Sequence, residues 1–202
     1  LKFIDKQHED LCYDDVCEAV KVLNQLSLFD DEESKNTFIA IAALLWEHGN
    51  NQFIGLRDLL IILLARIGYA PSSIILDSSF NEDNRFASLG SIISQWETVI
   101  NQQRFEIQVN KKTFLLTDFQ YNVWNSIKTQ RLTGISAPTS AGKSFVLALE
   151  SARLVIENNY DVIYIVPTLS LVNQVTEDYI NIFRQLNWTE YEILNSYNKD
   201  LI

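Results

Sequence analysis

Eight consecutive residues carry the clearest chemistry in this chain: Ala137-Pro138-Thr139-Ser140-Ala141-Gly142-Lys143-Ser144. A phosphate-binding loop needs amides turned inward around the anion, small residues that admit it, and a lysine that reaches the β/γ-oxygens. A hydroxyl directly after that lysine completes the set, because it can ligate Mg²⁺. Lys143 and Ser144 fill these last two roles, and Ala137 to Gly142 form the turn before them. The loop stands between a short apolar segment, Thr133–Ser136, expected as a strand, and an expected helix, Lys143–Asn158. The N-terminal dipole of that helix favours the same anion. The first position departs from the strict glycine-first pattern, since Ala137 stands there.

With alanine at its head and Thr139 inside it, A-P-T-S-A-G-K-S resembles motif I of the superfamily 2 helicases and translocases, above all the DExH-type repair and processing helicases. Two flanks strengthen the resemblance. Leu116-Thr117-Asp118-Phe119-Gln120, followed by an expected amphipathic helix Tyr121–Gln130, is similar to the Q-motif region. The resemblance implies that Gln120 reads the adenine edge while Phe119 helps to pack the base. A side-chain amide offers a donor and an acceptor together, as adenine N7 and N6 require. Downstream, the apolar run Val162–Val166 leads into Pro167-Thr168-Leu169-Ser170-Leu171-Val172-Asn173-Gln174, similar to motif Ia, P-T-x-x-L-x-x-Q. Pro167, Thr168 and Gln174 would then touch a nucleic-acid backbone, where hydroxyls and helix-terminal amides donate to phosphate without reading sequence.

The resemblance spans Phe114–Gln174, less than a third of the chain. It implies ATP and Mg²⁺ as cofactors, held by Gln120, Phe119 and Ala137, Pro138, Thr139, Ser140, Ala141, Gly142, Lys143 and Ser144, with Ser144 on the metal. It implies nucleic acid, DNA ahead of RNA, as the partner, and strand movement or unwinding coupled to hydrolysis. DNA repair and anti-phage defence are the settings in which helicases with a helical N-terminal extension occur. Such a motor also requires a D-E-x-[DH] motif at a strand end and an arginine finger from a second lobe. After Lys143 no apolar strand ends in paired carboxylates: Glu177-Asp178 falls in a helix-like segment, and Glu190 and Glu192 flank an aromatic. The expectation is therefore the N-terminal portion of a longer motor, close to inert as an ATPase alone, since an arginine finger contributes about 10³–10⁵ in turnover.

The elements that must position these residues divide the chain in two. Residues 1–104 are expected as an α-helical accessory domain, from helical apolar spacing over Asp10–Leu26, Glu33–His48, Gly55–Ile67 and Leu89–Asn101, with Ile74–Leu76 undefined. Asp30 is the expected cap of the second helix, with Glu33 three residues on. Residues 105–202 are expected as part of a RecA-like α/β domain. A hairpin, Phe105–Val109 and Thr113–Leu116 around Asn110-Lys111-Lys112, leads to Gln120. Strands at 133–136 and Asp161–Val166 then alternate with helices Lys143–Asn158 and Leu169–Leu186, and Tyr191–Asn195 forms a further strand. Such a parallel sheet places ligands at the carboxyl ends of its strands, where Ala137 and Pro167 fall.

Composition bounds the partners. The first part carries eight basic and sixteen acidic side chains and the second eight and ten, within a net charge of −10. Phosphate affinity comes chiefly from Lys and Arg, so the acidic half is expected to pack on the motor or dock a protein rather than grip DNA. The apolar runs Phe38–Trp46 and Leu59–Ile67 fall far short of the ~20 residues a membrane span needs, so a cytoplasmic protein without membrane contact is expected. Cys12 and Cys17 face different sides of a helix, and His8 with Cys12 gives only two ligands, so no zinc site is expected. Two other classes remain open: a non-helicase P-loop NTPase, and an acidic helical interaction module with a vestigial P-loop.

Overall fold

The computed structural model describes residues 11–49, 52–81, 85, 89–138 and 141–195. These form two compact units. One comprises the described residues up to Glu106 together with Leu115–Asp118; the other comprises Ile107–Phe114 and the described residues from Phe119 onward.

The first unit is helical because its apolar residues recur at helical spacing and its helix ends carry stop and start signals. Helix α1, Tyr13–Leu26, buries Val16, Ala19 and Leu23 on one face. It begins at Cys12, whose Sγ accepts from the Asp15 amide at 3.4 Å. Helix α2, Glu32–Gly49, is capped by Asp31, which accepts from the Ser34 amide at 2.8 Å and from its hydroxyl at 2.7 Å. The expected cap, Asp30, is instead drawn to Lys35, 2.6 Å away. Helix α3, Leu56–Arg66, is apolar nearly all round and is correspondingly buried on most sides. A 3₁₀ helix, Ala70–Ile75, occupies the stretch that periodicity left undefined. Helix α4 runs Ile92–Gln103, starting three residues later than expected, after Ser91. Helix α1 packs on α2, α2 on α3, and α3 on both the 3₁₀ helix and α4. Leu23, Phe38, Leu60 and Leu63 anchor the core, and full burial of each contributes about 1.5–3 kcal/mol. Arg66 ties three helices together, donating to Asn24 Oδ1 at 2.8 Å, to Ser27 Oγ at 3.1 Å and to Glu97.

One member of the buried stripe of α2 is charged. Lys35, Phe38, Ala42, Leu45 and Gly49 are its buried residues. The Lys35 ammonium lies 2.6 Å from both Asp118 Oδ2 and Asp30 Oδ1. Asp118 is also held through its backbone, whose amide donates to the Gly68 carbonyl at 2.8 Å. Gly68 has φ +78°, and a Cβ there would lie 2.7 Å from Asp118 Cβ and 2.8 Å from Phe105 Cζ. Glycine is required at this point by both conformation and space.

In the second unit, strands β1, Glu106–Val109, and β2, Lys112–Leu115, form a hairpin. Its turn is two residues, Asn110 and Lys111, both with positive φ, so Lys112 belongs to the strand rather than the turn. The Asn110 side chain donates to the Leu186 carbonyl at 2.9 Å. Helices α5, Asp118–Thr129, α6, Lys143–Asn158, and α7, Leu169–Gln185, follow, with α6 packed on α7. Helix α5 starts three residues before the expected Tyr121, so Phe119 and Gln120 lie within its first turn.

The expected parallel sheet is not present among the described residues, where β1–β2 is the only sheet. Segments 133–136, 161–166 and 191–195 carry no strand assignment. A strand is defined by a ladder with a neighbour, and these segments have none. The alternation that suggested a strand survives in 162–165: Ile163 and Ile165 are 87% exposed, while Val162 and Tyr164 are 37% exposed. Tyr164 meets the Tyr179 ring of α7 edge-on at 5.9 Å.

Two predictions follow from the Lys35 and Gly68 contacts. Gly68→Ala should lower the free energy of urea unfolding by about 2 kcal/mol or more, because the backbone is left-handed and the new methyl has no room. Burial alone would lower the Lys35 pKa, but hydrogen bonds and charge attraction from Asp118 and Asp30 outweigh it and hold it above its ordinary 10.5. A raised folded-state value stabilises fully below 10.5, and that stabilisation is lost as pH rises through the folded value. Tyr69, raised by burial, acts in the same direction. Lys35→Met should therefore flatten the alkaline fall in stability, read from urea unfolding at a series of pH values; an unchanged slope would refute the pairing.

Candidate functional site

The loop at 137–144 turns into α6 through a glycine in the left-handed region. Gly142 is the N-cap, at φ 73° and ψ 27°. Its carbonyl accepts the first helical bond, from Val146 at 3.4 Å. The amides of Lys143, Ser144 and Phe145 precede the first intrahelical donor, and Gly142 has no side chain to cap them. They form a cluster of donors suited to an oxyanion. The loop is tightened by the Ala141 amide, which donates to the Pro138 carbonyl at 3.2 Å. Thr139 and Ser140, both expected in the cradle, lie outside the described residues.

Lys143 folds back over this turn. Its ammonium donates to the Pro138 carbonyl at 2.7 Å and to the Ala137 carbonyl. The cation is thus held at the loop mouth by neutral acceptors, which a phosphate can displace because an anionic acceptor adds the attraction of opposite charge. Ser144 occupies an exposed position in the first turn of α6, where a hydroxyl can reach a hydrated Mg²⁺.

Gln120 reaches the loop from α5. A Cβ built on Gly142 would lie 2.3 Å from Gln120 Nε2. The side-chain amide therefore fills the space that the missing side chain leaves. Phe119, beside it, is half-buried. The register of α5 on α6 rests on Trp124, 2% exposed, whose ring lies 6.0 Å from the Arg153 guanidinium and 5.6 Å from Lys128 Nζ. Arg153 grips buried Glu150 in bidentate fashion, Nε to Oε2 at 2.7 Å and Nη2 to Oε1 at 2.6 Å. Hydrogen bonding to Glu150 raises the Arg153 pKa despite an opposing effect of burial. Phe145 meets Phe114 of β2 at 6.4 Å, so the start of α6 is also fixed by the hairpin.

The expected strand-contacting residues stand on another element. Thr168 is the N-cap of α7 but makes no side-chain cap bond; its hydroxyl lies 3.3 Å from Ser170 Oγ. Pro167, Thr168 and Gln174 are exposed. Gln174, six residues along, points about a third of a turn away from Thr168. Glu177 and Asp178 lie inside α7.

The fold thus brings Gln120, Gly142, Lys143 and the carbonyls of Ala137 and Pro138 together. Sequence reading missed Lys35 and Gly68, which meet Asp118 at the first residue of α5, and the approach of Arg153 to Trp124 further along it. A signal existed for the first of these, because Lys35 falls on the spacing of Phe38, Ala42 and Leu45, where an apolar residue is the norm.

Residues 117–200 match the family model of the DEAD/DEAH box helicase, which identifies a helicase-type domain in this stretch. The match takes in α5, the loop, α6 and α7, covers less than half of the chain, and leaves α1–α4 and the hairpin outside it. No curated protein and no solved structure matches the chain.

Gly142→Ala tests the contact at the loop. The variant should fold with a loss of about 1 kcal/mol, from the left-handed backbone, and should bind adenine nucleotide about tenfold more weakly because Gln120 is displaced. Calorimetric titration measures this, and undiminished affinity would remove the Gln120–Gly142 contact from the site.

Proposed function

We propose that this chain supplies the ATP-binding surface of a DExH-type, superfamily 2 nucleic-acid helicase or translocase. The observation that carries this reading is the meeting of Gln120 and Gly142. It brings a side-chain amide, a group able to pair with a base edge, beside a phosphate-type loop at the N-terminus of a helix whose first residue is Lys143. A loop for phosphate alone would have no use for that amide. The helicase-type domain matched at 117–200 accords with it, and ATP, typically with Mg²⁺, is the cofactor of that family.

The described residues fit such a ligand. Gly142 offers a close approach without a side chain, and the open amides of the first turn of α6 offer donors. When bound, the nucleotide supplies the free energy that drives the motor, and Mg²⁺ neutralises charge on its phosphates. The chain's own part is to bind and orient. The Ala137–Gly142 backbone would wrap the β-phosphate, with Thr139 and Ser140 as part of that turn. Lys143 would exchange the carbonyls of Ala137 and Pro138 for β/γ-oxygens, and Ser144 would ligate the metal. Gln120 would select adenine by pairing with its N6/N7 edge, with Phe119 packing nearby.

Nucleic acid would be held at the start of α7 by Pro167, Thr168 and Gln174. An uncapped hydroxyl and helix-terminal amides are suitable backbone donors there, and DNA is favoured over RNA as the track. Segments 133–136 and 161–166 would serve as strands of a RecA-like sheet. The acidic helical unit would dock a protein partner, because its charge repels phosphate. Hydrolysis belongs to a protein that also carries the acidic motif and arginine finger, with DNA repair or anti-phage defence as its setting.

Lys143→Ala should weaken Mg²⁺-ATP binding by this chain about a hundredfold while leaving its thermal unfolding unchanged, since a charged hydrogen-bond pair is lost. Equal affinity in the two proteins would sink the assignment. In a protein carrying the acidic motif, single-stranded DNA should raise ATP turnover, and indifference to both DNA and RNA would favour a non-helicase NTPase.

A further inference from the structure

The backbone of α6 runs close to α7 rather than to α5, yet two long side chains of α5 reach it. Gln120 meets the Gly142 turn, and Trp124 meets Arg153. All four residues belong to the second unit. Gln120 and Trp124 stand one turn apart, so they share a face of α5. Gly142 and Arg153 stand about three turns apart on α6, roughly 16 Å. The Arg153 guanidinium is oriented by its own helix. It grips Glu150 through bonds at 2.7 and 2.6 Å and donates to Glu157 Oε2 and Asn158 Oδ1, each at 3.3 Å. These acceptors all lie on α6, so they fix the guanidinium without joining it to α5. Its approach to the Trp124 ring, 6.0 Å from the ring centre, makes that link. Lys128 comes within 5.6 Å of the same ring, but from α5 itself, and ties nothing across.

We infer that Arg153 is a positioning residue for adenine selection, holding Trp124 and with it the face of α5 that carries Gln120. This rests on the proposed role of Gln120. A cation is drawn to the negative face of an aromatic ring, so the contact favours one placement of Trp124 over its neighbours. Over a single turn a hydrogen-bonded helix moves as one piece, so a rotation of α5 that shifts Trp124 carries Gln120 with it. The end of Gln120 sits where a single Cβ at Gly142 would collide with it. A small rotation therefore changes how the amide meets a base. Lys143 and the first-turn amides belong to α6 and its loop, and they keep their places when α5 turns. Phosphate binding and base selection become separable, with Arg153 governing only the second.

The experiment titrates this chain with Mg²⁺-ATP and Mg²⁺-GTP by calorimetry, in wild type, Arg153→Met, Glu150→Gln with Arg153→Met, Trp124→Phe and Lys128→Met. Both Arg153 variants should lose about tenfold in ATP affinity, the scale of one desolvated cation–ring contact, with GTP affinity unchanged. Trp124→Phe, which keeps a ring that attracts a cation less strongly, should show a smaller loss of the same kind. Lys128→Met is the control: it takes a cation from the ring without cutting the link to α6, so the preference should stand. Equal losses for ATP and GTP in the Arg153 variants, an ATP preference retained in them, or a preference lost in Lys128→Met would each overturn the inference. Circular dichroism establishes that each variant is folded at the titration temperature. Arg153→Met leaves buried Glu150 unpaired, so the double variant decides should the single one unfold, and Trp124→Phe decides should both. A wild-type protein that binds ATP and GTP equally, or binds neither, would overturn instead the reading of Gln120 and the loop on which the inference rests.

Discussion

The candidate site depends on one steric condition, that position 142 carries no side chain and tolerates a left-handed backbone. At φ +73° the chain turns from loop into α6 without a capping side chain, so the helix opens with its amides uncovered. The same absence makes room for Gln120, whose amide nitrogen stands 2.3 Å from where a Cβ would be. A single glycine thus serves both the turn into α6 and the seat of the Gln120 side chain. If the backbone there were right-handed, the first-turn amides would face elsewhere and Gln120 would meet the loop at a different point. Ala137, the position that departs from the usual glycine, contributes its carbonyl to Lys143, a contact that any residue can make.

Holding Gln120 at that point requires α5 and α6 to keep their register, and this falls to a buried charge. Glu150 is 3% exposed, and isolating a carboxylate from water would cost several kcal/mol without compensation. Arg153 supplies it through two hydrogen bonds and then lays its guanidinium near the Trp124 ring of α5. Bidentate geometry leaves the guanidinium plane little freedom. The directed contact adds to the apolar packing of Val146, Leu149 and Ala152, which are buried on α6.

Much of the fold was legible because it is local. The helices follow from apolar spacing and from glycines such as Gly55 and Gly68, and α6 occurs at the expected residues. The hairpin follows from alternation and from Asn110, which accepts positive φ more readily than most residues. The turn from loop into helix was legible, since Gly142 stands where α6 begins. The strands at 133–136, 161–166 and 191–195 were not determined in this way, because a ladder needs a partner that no local pattern supplies. Residues 162–165 keep their period-two exposure but form no ladder. The cap of α2 moved by one residue because Lys35, invisible as a partner in sequence, captures Asp30. The pairing of Lys35 with Asp118 and the packing of Gly68 on Asp118 were illegible for the same reason, because they join residues dozens of positions apart.

Charge determines which kind of nucleic-acid contact the chain can offer. Its net charge is −10, and Lys35, Arg57, Arg66, Arg85 and Arg153 are already engaged with carboxylates. A cation so engaged gives little net attraction to a phosphate, because its own partner repels that phosphate at nearly the same distance. Binding through released counterions dominates when Lys and Arg line a groove, and these five contribute little to it. Under the proposed function, neutral donors at the start of α7, the Thr168 hydroxyl and the first amides of the helix, would add contacts to phosphate oxygens. Such contacts act by geometry, with little long-range pull, and tolerate any sequence.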